Sequence, residues 1–204
     1  HPVDCSACAV AFVTGGDGSG QGAGTALLYQ LAIHAAPAMP VPIGPAYPFL
    51  LRLDLGVDAY TVAGSNDGDD SFITRLPFGG GAPQVLRYVP SVTLVDSLVS
   101  DASYLYFADG IASTVGRVPV HDTHPMPFDD HTVAPGALSL SDDGNLFWVD
   151  DQAIYRKAVG ASPASMPDVV GPVPYRVSAL AFDDTYDYFA QHDGDSPGTV
   201  GRYR

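Results

Sequence analysis

The chain has 204 residues, of which 46% are hydrophobic and 16% charged, and its formal net charge is −14 at pH 7. This apolar content is enough to bury a core, so the chain is not disordered overall. The negative charge argues against nucleic acids and anionic membrane surfaces as partners, because both require basic patches. It is compatible with a cation or a basic partner. No apolar run approaches the roughly 18 residues of a membrane-spanning helix.

The types of charged residue indicate the fold class. All 23 acidic residues are Asp, Lys157 is the single lysine, and the chain contains 22 Gly and 18 Pro. Glu and Lys favour exposed helix surfaces, whereas Asp, Gly and Pro favour turns. The sequence therefore predicts a nearly all-β protein with many tight turns.

The first chemical motif along the chain is the Cys-x-x-Cys pair Cys5 and Cys8. Such a pair can be redox-active, can supply half of a zinc site, or can form a structural disulfide. Zinc normally takes four ligands, and the sequence has no second cysteine pair. We favour a disulfide, either between Cys5 and Cys8 or with a segment outside this sequence, and with it a secreted, periplasmic or cell-surface location.

The chain is an array of five copies of one unit, and we expect a single domain over residues 1–204. The clearest pair of copies is Leu98–Asp109 and Leu180–Gln191, which align without gaps. The copies begin near residues 3, 53, 98, 138 and 180, so that successive starts are 40 to 50 residues apart. Four-stranded blades of β-propellers have about this length. The sequence predicts five blade repeats.

Two features recur within the copies. An Arg occupies one position of the predicted third strand in four copies, and Gln30 takes that position in the first; the arginines are Arg75, Arg117, Arg156 and Arg202. We expect each to pair with an Asp of its own or a neighbouring blade. The predicted second strands, such as Tyr104–Phe107 and Leu146–Trp148, are almost continuously apolar. Continuous apolar strands are typical of sheets covered on both faces.

The repeated motif also resembles a known group of proteins. Tyr104–Asp109 followed by Thr114–Val118, repeated as Tyr186–Gln191 and Thr199–Tyr203, is similar to the blades of bacterial secreted β-propellers of the YWTD, NHL and YVTN groups. The resemblance implies a propeller fold. It implies much less about function, because propellers serve in binding, scaffolding and several chemistries.

The fifth copy stops after its third strand, at Arg204. Ring closure in propellers commonly uses strands from both ends of the chain, because an open sheet edge invites aggregation. Three interpretations stay open: a five-bladed ring with one thin blade, a fragment of a larger ring, or a ring completed by partner chains. We favour the fragment.

The loops between second and third strands are the first candidate metal sites. Asp67, Asp69 and Asp70 lie close together with Ser and Gly nearby, and carboxylate and carbonyl oxygens are the ligands that calcium prefers. The alternative interpretation is a solvated polar turn. The sequence identifies no definite cofactor, and calcium is the ion that these loops suggest.

A second candidate lies after the third copy. His121 and His124 are accompanied by Asp122, Asp129 and Asp130, with His131 following. Imidazoles and carboxylates together can hold zinc or a related ion. The prolines of this stretch are equally typical of a plain loop between strands.

For catalysis the sequence offers no Gly-x-Ser-x-Gly elbow and no distinguished pair of carboxylates. We therefore expect a non-enzymatic propeller that binds a protein or a glycan, or that acts as a structural subunit of a surface assembly. The alternative is a metal-dependent hydrolase or lyase.

Overall fold

The computed structural model describes residues 9–14, 27–32, 41–42, 49–55, 58–64, 70–76, 82–90, 95–110, 112–120, 122, 124–173, 177–182, 186–191 and 198–203. Every regular element within these ranges is a β-strand. The predicted all-β class is thereby confirmed. No helix in these ranges has the length and apolarity needed to cross a membrane.

The chain divides into two compact units, residues 1–91 and 92–204. The first unit holds a three-stranded and a four-stranded sheet. The strands of its first sheet are β1 (Ala9–Thr14), β2 (Leu27–Ala32) and β3 (Val41–Pro42). Those of its second sheet are β4 (Phe49–Leu55), β5 (Ala59–Gly64), β6 (Asp70–Leu76) and β7 (Gln84–Pro90).

The second unit holds two four-stranded sheets and one three-stranded sheet. Its first sheet consists of β8 (Val95–Ser100), β9 (Tyr104–Asp109), β10 (Thr114–Pro119) and β11 (Met126–Asp129). The next consists of β12 (Leu138–Leu140), β13 (Asn145–Val149), β14 (Ala153–Ala158) and β15 (Asp168–Pro172). The last consists of β16 (Val177–Phe182), β17 (Asp187–Gln191) and β18 (Thr199–Tyr203).

In all five sheets the strands pair antiparallel and follow one another in chain order. This meander is the topology of a propeller blade. The four-stranded unit predicted from the repeats is confirmed in three sheets, which contain the copies beginning near residues 53, 98 and 138. The predicted start near residue 3 lies outside the described residues.

The middle strand β13 of the second unit is covered on both faces, as its apolar sequence predicts. Leu146 and Trp148 of β13 pack in one core with residues of β9, β10 and β11. Phe147 and Val149, which alternate with them, pack in another core with Val177 and other residues of the last sheet. Because successive strand residues point to opposite faces, β13 lies between two neighbouring sheets.

The first strands of these three sheets lie beside one another, β8 next to β12 and β12 next to β16. A side-chain hydrogen bond joins the first two of them, since the backbone N–H of Leu138 donates to Oγ of Ser97 at 3.1 Å. The sheets of the second unit therefore stack face to face around their first strands, which is the blade arrangement of a propeller.

The hairpin between β8 and β9 is closed by Asp101. Its Oδ1 accepts the backbone N–H groups of Ser103 and Tyr104, each at 2.7 Å, and its Oδ2 accepts the hydroxyl of Tyr106 at 3.0 Å. An Asp side chain that accepts backbone donors two and three residues ahead is a common turn device. The Asp-Ala pair at 101–102 thus forms one of the tight turns that the Asp-rich composition predicts.

A glycine in the third strand makes room for a ring of the second strand. Gly116 of β10 lies opposite Phe107 of β9, and Gly201 of β18 lies opposite Phe189 of β17. A Cβ placed on Gly116 would meet ring atoms of Phe107 at 2.2 Å, and one on Gly201 would meet Phe189 at 2.1 Å. Phe107 is fully buried, so its ring has no space into which to move.

We therefore expect Gly116→Ala to lower the free energy of unfolding by about 1–3 kcal/mol, the usual cost of overpacking a core. Gly160→Ala is the matched control, because nothing lies within 4 Å of its added Cβ. Urea denaturation of both variants provides the measurement. Equal midpoints for the two variants would contradict this account of the ring contact.

The burial of Tyr106 predicts a loss of stability at alkaline pH. Burial raises the pKa of Tyr106 above its ordinary value, and the neighbouring Asp101 charge raises the pKa further. A raised folded-state pKa contributes stability that is fully present below the unfolded-state pKa of about 10 and is lost as pH rises above it. Thermal unfolding at pH 8 and pH 11 should show a smaller alkaline loss in Tyr106→Phe than in the unaltered protein. An identical loss in both would refute this role of Tyr106.

Candidate functional site

The recurrent arginines of the third strands serve the packing of the sheets. Arg75 forms an ion pair with Asp58 of its own sheet, and Arg156 Nη2 lies 3.0 Å from Asp168 Oδ2 on the adjoining strand. These two confirm the predicted Arg–Asp pairing.

The other two arginines lie over tyrosine rings of the second strands. The guanidinium carbon of Arg117 is 4.7 Å from the ring centre of Tyr104, and that of Arg202 is 4.3 Å from the ring centre of Tyr186. Arg117 also donates from Nη1 to the carbonyl of Val159 in the next sheet, at 3.0 Å. The repeated Arg therefore contacts groups of its own sheet, and Arg117 also joins its sheet to the next one.

Most of the residues singled out as metal ligands or as a disulfide lie outside the described residues; these are Asp67, Asp69, His121, Cys5 and Cys8. Asp70 is the first residue of β6. The calcium site and the disulfide accordingly stay predictions.

His124 is described and is exposed, with its Nδ1 2.6 Å from Oδ1 of the half-exposed Asp122. The two side chains are hydrogen-bonded to each other at the surface.

The structure brings together a different part of the same acidic and His-rich stretch. Single ligand atoms of Asp129, Asp130 and His131 all lie within 4.8 Å of one another. His131 Nδ1 is 3.2 Å from Asp129 Oδ1 and 3.1 Å from Asp130 Oδ1. Sequence reasoning placed these residues beside His121 and His124 but did not rank them first. Their Asp-Asp-His order is visible in the sequence, but the order alone does not show that the three side chains meet.

A β-bulge positions the first of these residues. Val115 of β10 lies opposite Asp129, whereas the next residue, Gly116, lies opposite Pro127, so Phe128 has no partner in the register. Bulges commonly occur where a strand must redirect a side chain. Here the bulge carries Asp129 into the interior, where it is fully buried.

Two side chains of the next sheet hold this segment in place. Lys157 of β14 is buried and donates from Nζ to the carbonyl oxygens of Phe128 at 3.1 Å and of Pro163 at 2.9 Å. Trp148 of β13 donates from Nε1 to Oγ1 of Thr132 at 3.2 Å. The chain from Phe128 to Thr132 is therefore fixed at both ends.

The carboxylate of Asp129 is only partly satisfied. Its Oδ1 accepts the backbone N–H of His131 at 3.3 Å and lies 3.7 Å from Nζ of Lys157. Its Oδ2 is buried and has no hydrogen-bond partner among the described residues. Because a buried carboxylate is costly without compensating charge, the ammonium of Lys157 stabilises Asp129 in this position.

Three solved structures are similar to the chain. A chain of a nidogen/laminin complex matches with a TM-score of 0.58 and 16% identity over 81% of this chain and 64% of that one. A protein from Lactobacillus plantarum matches with a TM-score of 0.59 and 14% identity over 96% and 66%. Virginiamycin B lyase from Staphylococcus aureus, solved in a catalytically inactive form with quinupristin, matches with a TM-score of 0.56 and 14% identity over 94% and 65%.

The chain thus spans just under two thirds of the length of each of these proteins. No protein-family model and no curated protein matches its sequence. Identities of 16% and below show the fold alone. Together with the sheet topology, these likenesses define the chain as an all-β protein of the propeller class.

The Lys157–Asp129 contact predicts a large effect of a single substitution. Lys157→Met should lower the free energy of unfolding by about 3–5 kcal/mol, because it leaves Asp129 buried without a compensating charge. Arg156→Met, which removes the exposed partner of Asp168 on the same strand, is the control and should cost at most about 1 kcal/mol. Chemical denaturation of both variants measures the difference, and similar costs would refute the role assigned to Lys157.

Proposed function

We propose that the chain is a non-enzymatic propeller module of a secreted or cell-envelope protein, and that it binds a partner polypeptide by strand addition along β18. The observation that carries this proposal is the exposure of Val200 in β18. The equivalent residue is buried in the third strands of three other sheets.

The equivalence of these strands rests on sequence and register together. Thr199-Val200-Gly201-Arg202 of β18 repeats the sequence of Thr114-Val115-Gly116-Arg117 in β10. Val115 lies opposite Ala108 of the second strand, and Val200 lies opposite Ala190. In β6 and β14 the corresponding residues are Ile73 and Ile154, each two positions before the recurrent Arg.

The exposed fractions separate β18 from the other three strands. Ile73, Val115 and Ile154 are each 0% exposed, whereas Val200 is 77% exposed. In each of the other three sheets a fourth strand pairs with the third. The pairing register of these two strands shifts directly after the buried residue of the third strand, which is Ile73, Val115 or Ile154. Within the described residues, β18 is the outer strand of a three-stranded sheet.

An outer strand with an exposed branched side chain is a template for pairing. It presents unpaired backbone N–H and C=O groups, and natural proteins usually protect such edges. Recognition by strand addition draws its affinity from these backbone groups and its specificity from pockets for alternate side chains. A polypeptide can pair in this way and a glycan cannot. An exposed strand edge of this kind therefore favours a polypeptide ligand over a glycan.

The similar structures include a lyase and a chain of a nidogen/laminin complex, so the fold does not choose between catalysis and binding. The strand edge favours binding. The location is part of the same proposal and is supported by the predicted disulfide at Cys5 and Cys8.

Site-specific photo-crosslinking tests the proposal in the cells that produce the protein. A photoreactive amino acid in place of Val200 should yield crosslinks to an extracytoplasmic polypeptide. Met166, which is 70% exposed in the loop between β14 and β15 and lies on no strand edge, is the matched control position and should yield far fewer. Equal crosslinking from both positions, or crosslinks confined within the chain itself, would contradict the proposal.

A second variant separates binding from folding. Val200→Lys should change the free energy of unfolding by no more than about 0.5 kcal/mol, because the side chain is already exposed. The same substitution should abolish co-purification of the crosslinked partner, because an added charge is a common protection against edge pairing. Retention of the partner by this variant would show that the contact lies elsewhere.

A further inference from the structure

Three potential ligand atoms at the end of β11 lie within 4.8 Å of one another. His131 Nδ1 lies 3.2 Å from Asp129 Oδ1 and 3.1 Å from Asp130 Oδ1. A tetrahedral ion with bonds of about 2.0–2.2 Å holds neighbouring ligand atoms roughly 3.4 Å apart. Small side-chain movements would therefore place an ion between these three atoms, with the fourth position open to water.

A second observation concerns the other oxygen of the Asp129 carboxylate. Asp129 is 0% exposed, and its Oδ2 is buried without a hydrogen-bond partner among the described residues. Oδ2 is the second oxygen of the carboxylate whose Oδ1 lies 3.2 Å from His131 Nδ1. Buried polar atoms in proteins are nearly always satisfied, and an unsatisfied one commonly marks an unseen water or ion.

Lys157 does not take the place of this ion. Its Nζ gives hydrogen bonds to the carbonyls of Phe128 and Pro163 and stays 3.7 Å from Asp129 Oδ1, beyond hydrogen-bond length. The lysine holds the backbone on one side of Asp129. On the other side the side chains of His131 and Asp130 are 33% and 64% exposed, so an ion has access from solvent.

We propose that Asp129, Asp130 and His131 bind a divalent transition-metal ion, with Zn²⁺ the best fit. One imidazole and two carboxylates suit zinc and its neighbours in the first transition row, whereas calcium and magnesium prefer shells of oxygen alone. This site is distinct from the β18 edge, and it lies in the stretch that also contains His121 and His124 without including either histidine.

Isothermal titration of chelator-treated protein with ZnCl₂ tests the site. The unaltered protein should bind one more Zn²⁺ per chain than His131→Ala, or should bind it at least about tenfold more tightly. Asp130→Asn should show the same loss. Both side chains are partly exposed, so circular dichroism should show both variants folded. Zn²⁺ that binds to other residues of the chain should still bind to both variants. The readout is therefore the difference in Zn²⁺ binding between the unaltered protein and each variant.

The matched control is the Asp122–His124 pair, which offers one imidazole and one carboxylate at the surface nearby. His124→Ala should leave Zn²⁺ binding unchanged. Substitution of Co²⁺ should give the visible absorption of a tetrahedral site in the unaltered protein and in His124→Ala, but not in His131→Ala. Zinc binding that is unaffected by His131→Ala, or that is lost instead in His124→Ala, would overturn the proposal. Neither result depends on the crosslinking outcome at Val200.

Discussion

The structure depends on the coverage of each apolar middle strand from both sides. Leu146 and Trp148 of β13 face one neighbouring sheet, while Phe147 and Val149 face the other. Such a strand cannot be exposed on either face without a large loss of buried apolar area. Each blade therefore needs a neighbour, and the recurrent details, such as Gly116 beneath the ring of Phe107, adapt the strands to this tight stacking.

The same constraint explains why both proposed sites lie where they do. The fourth strand covers the third, and a bulge directly after the buried residue at the repeat position redirects the chain. At Val115 that bulge carries Asp129 into the interior beside Lys157, where its unsatisfied oxygen favours a cation. At Val200 the repeat position is exposed on an outer strand, and the edge favours a partner strand.

Much of the fold could be predicted from the sequence, because the features that specify a blade are local. The apolar runs, the Asp turn at Asp101 and the recurrent arginines indicated the strand order and the stacking, and the pairing of Arg75 and Arg156 with Asp was anticipated. The candidate metal site could not be predicted to the residue. The clustering of Asp129, Asp130 and His131 depends on a bulge at Phe128 and on a lysine of another sheet, and neither leaves a pattern in the sequence. The exposure of Val200 could not be predicted either, because the same four-residue motif surrounds Val115, which is buried.

Amide hydrogen exchange of the isolated chain, resolved by NMR, tests the central claim most directly. In β10 and β14 the backbone N–H groups that point away from the second strand face a fourth strand, and they should be strongly protected. The corresponding groups of β18 should exchange rapidly, while those that face β17 should stay protected. Protection of the outward groups of β18 equal to that of β10 would contradict the account, because it would mean that this edge is already paired within the chain.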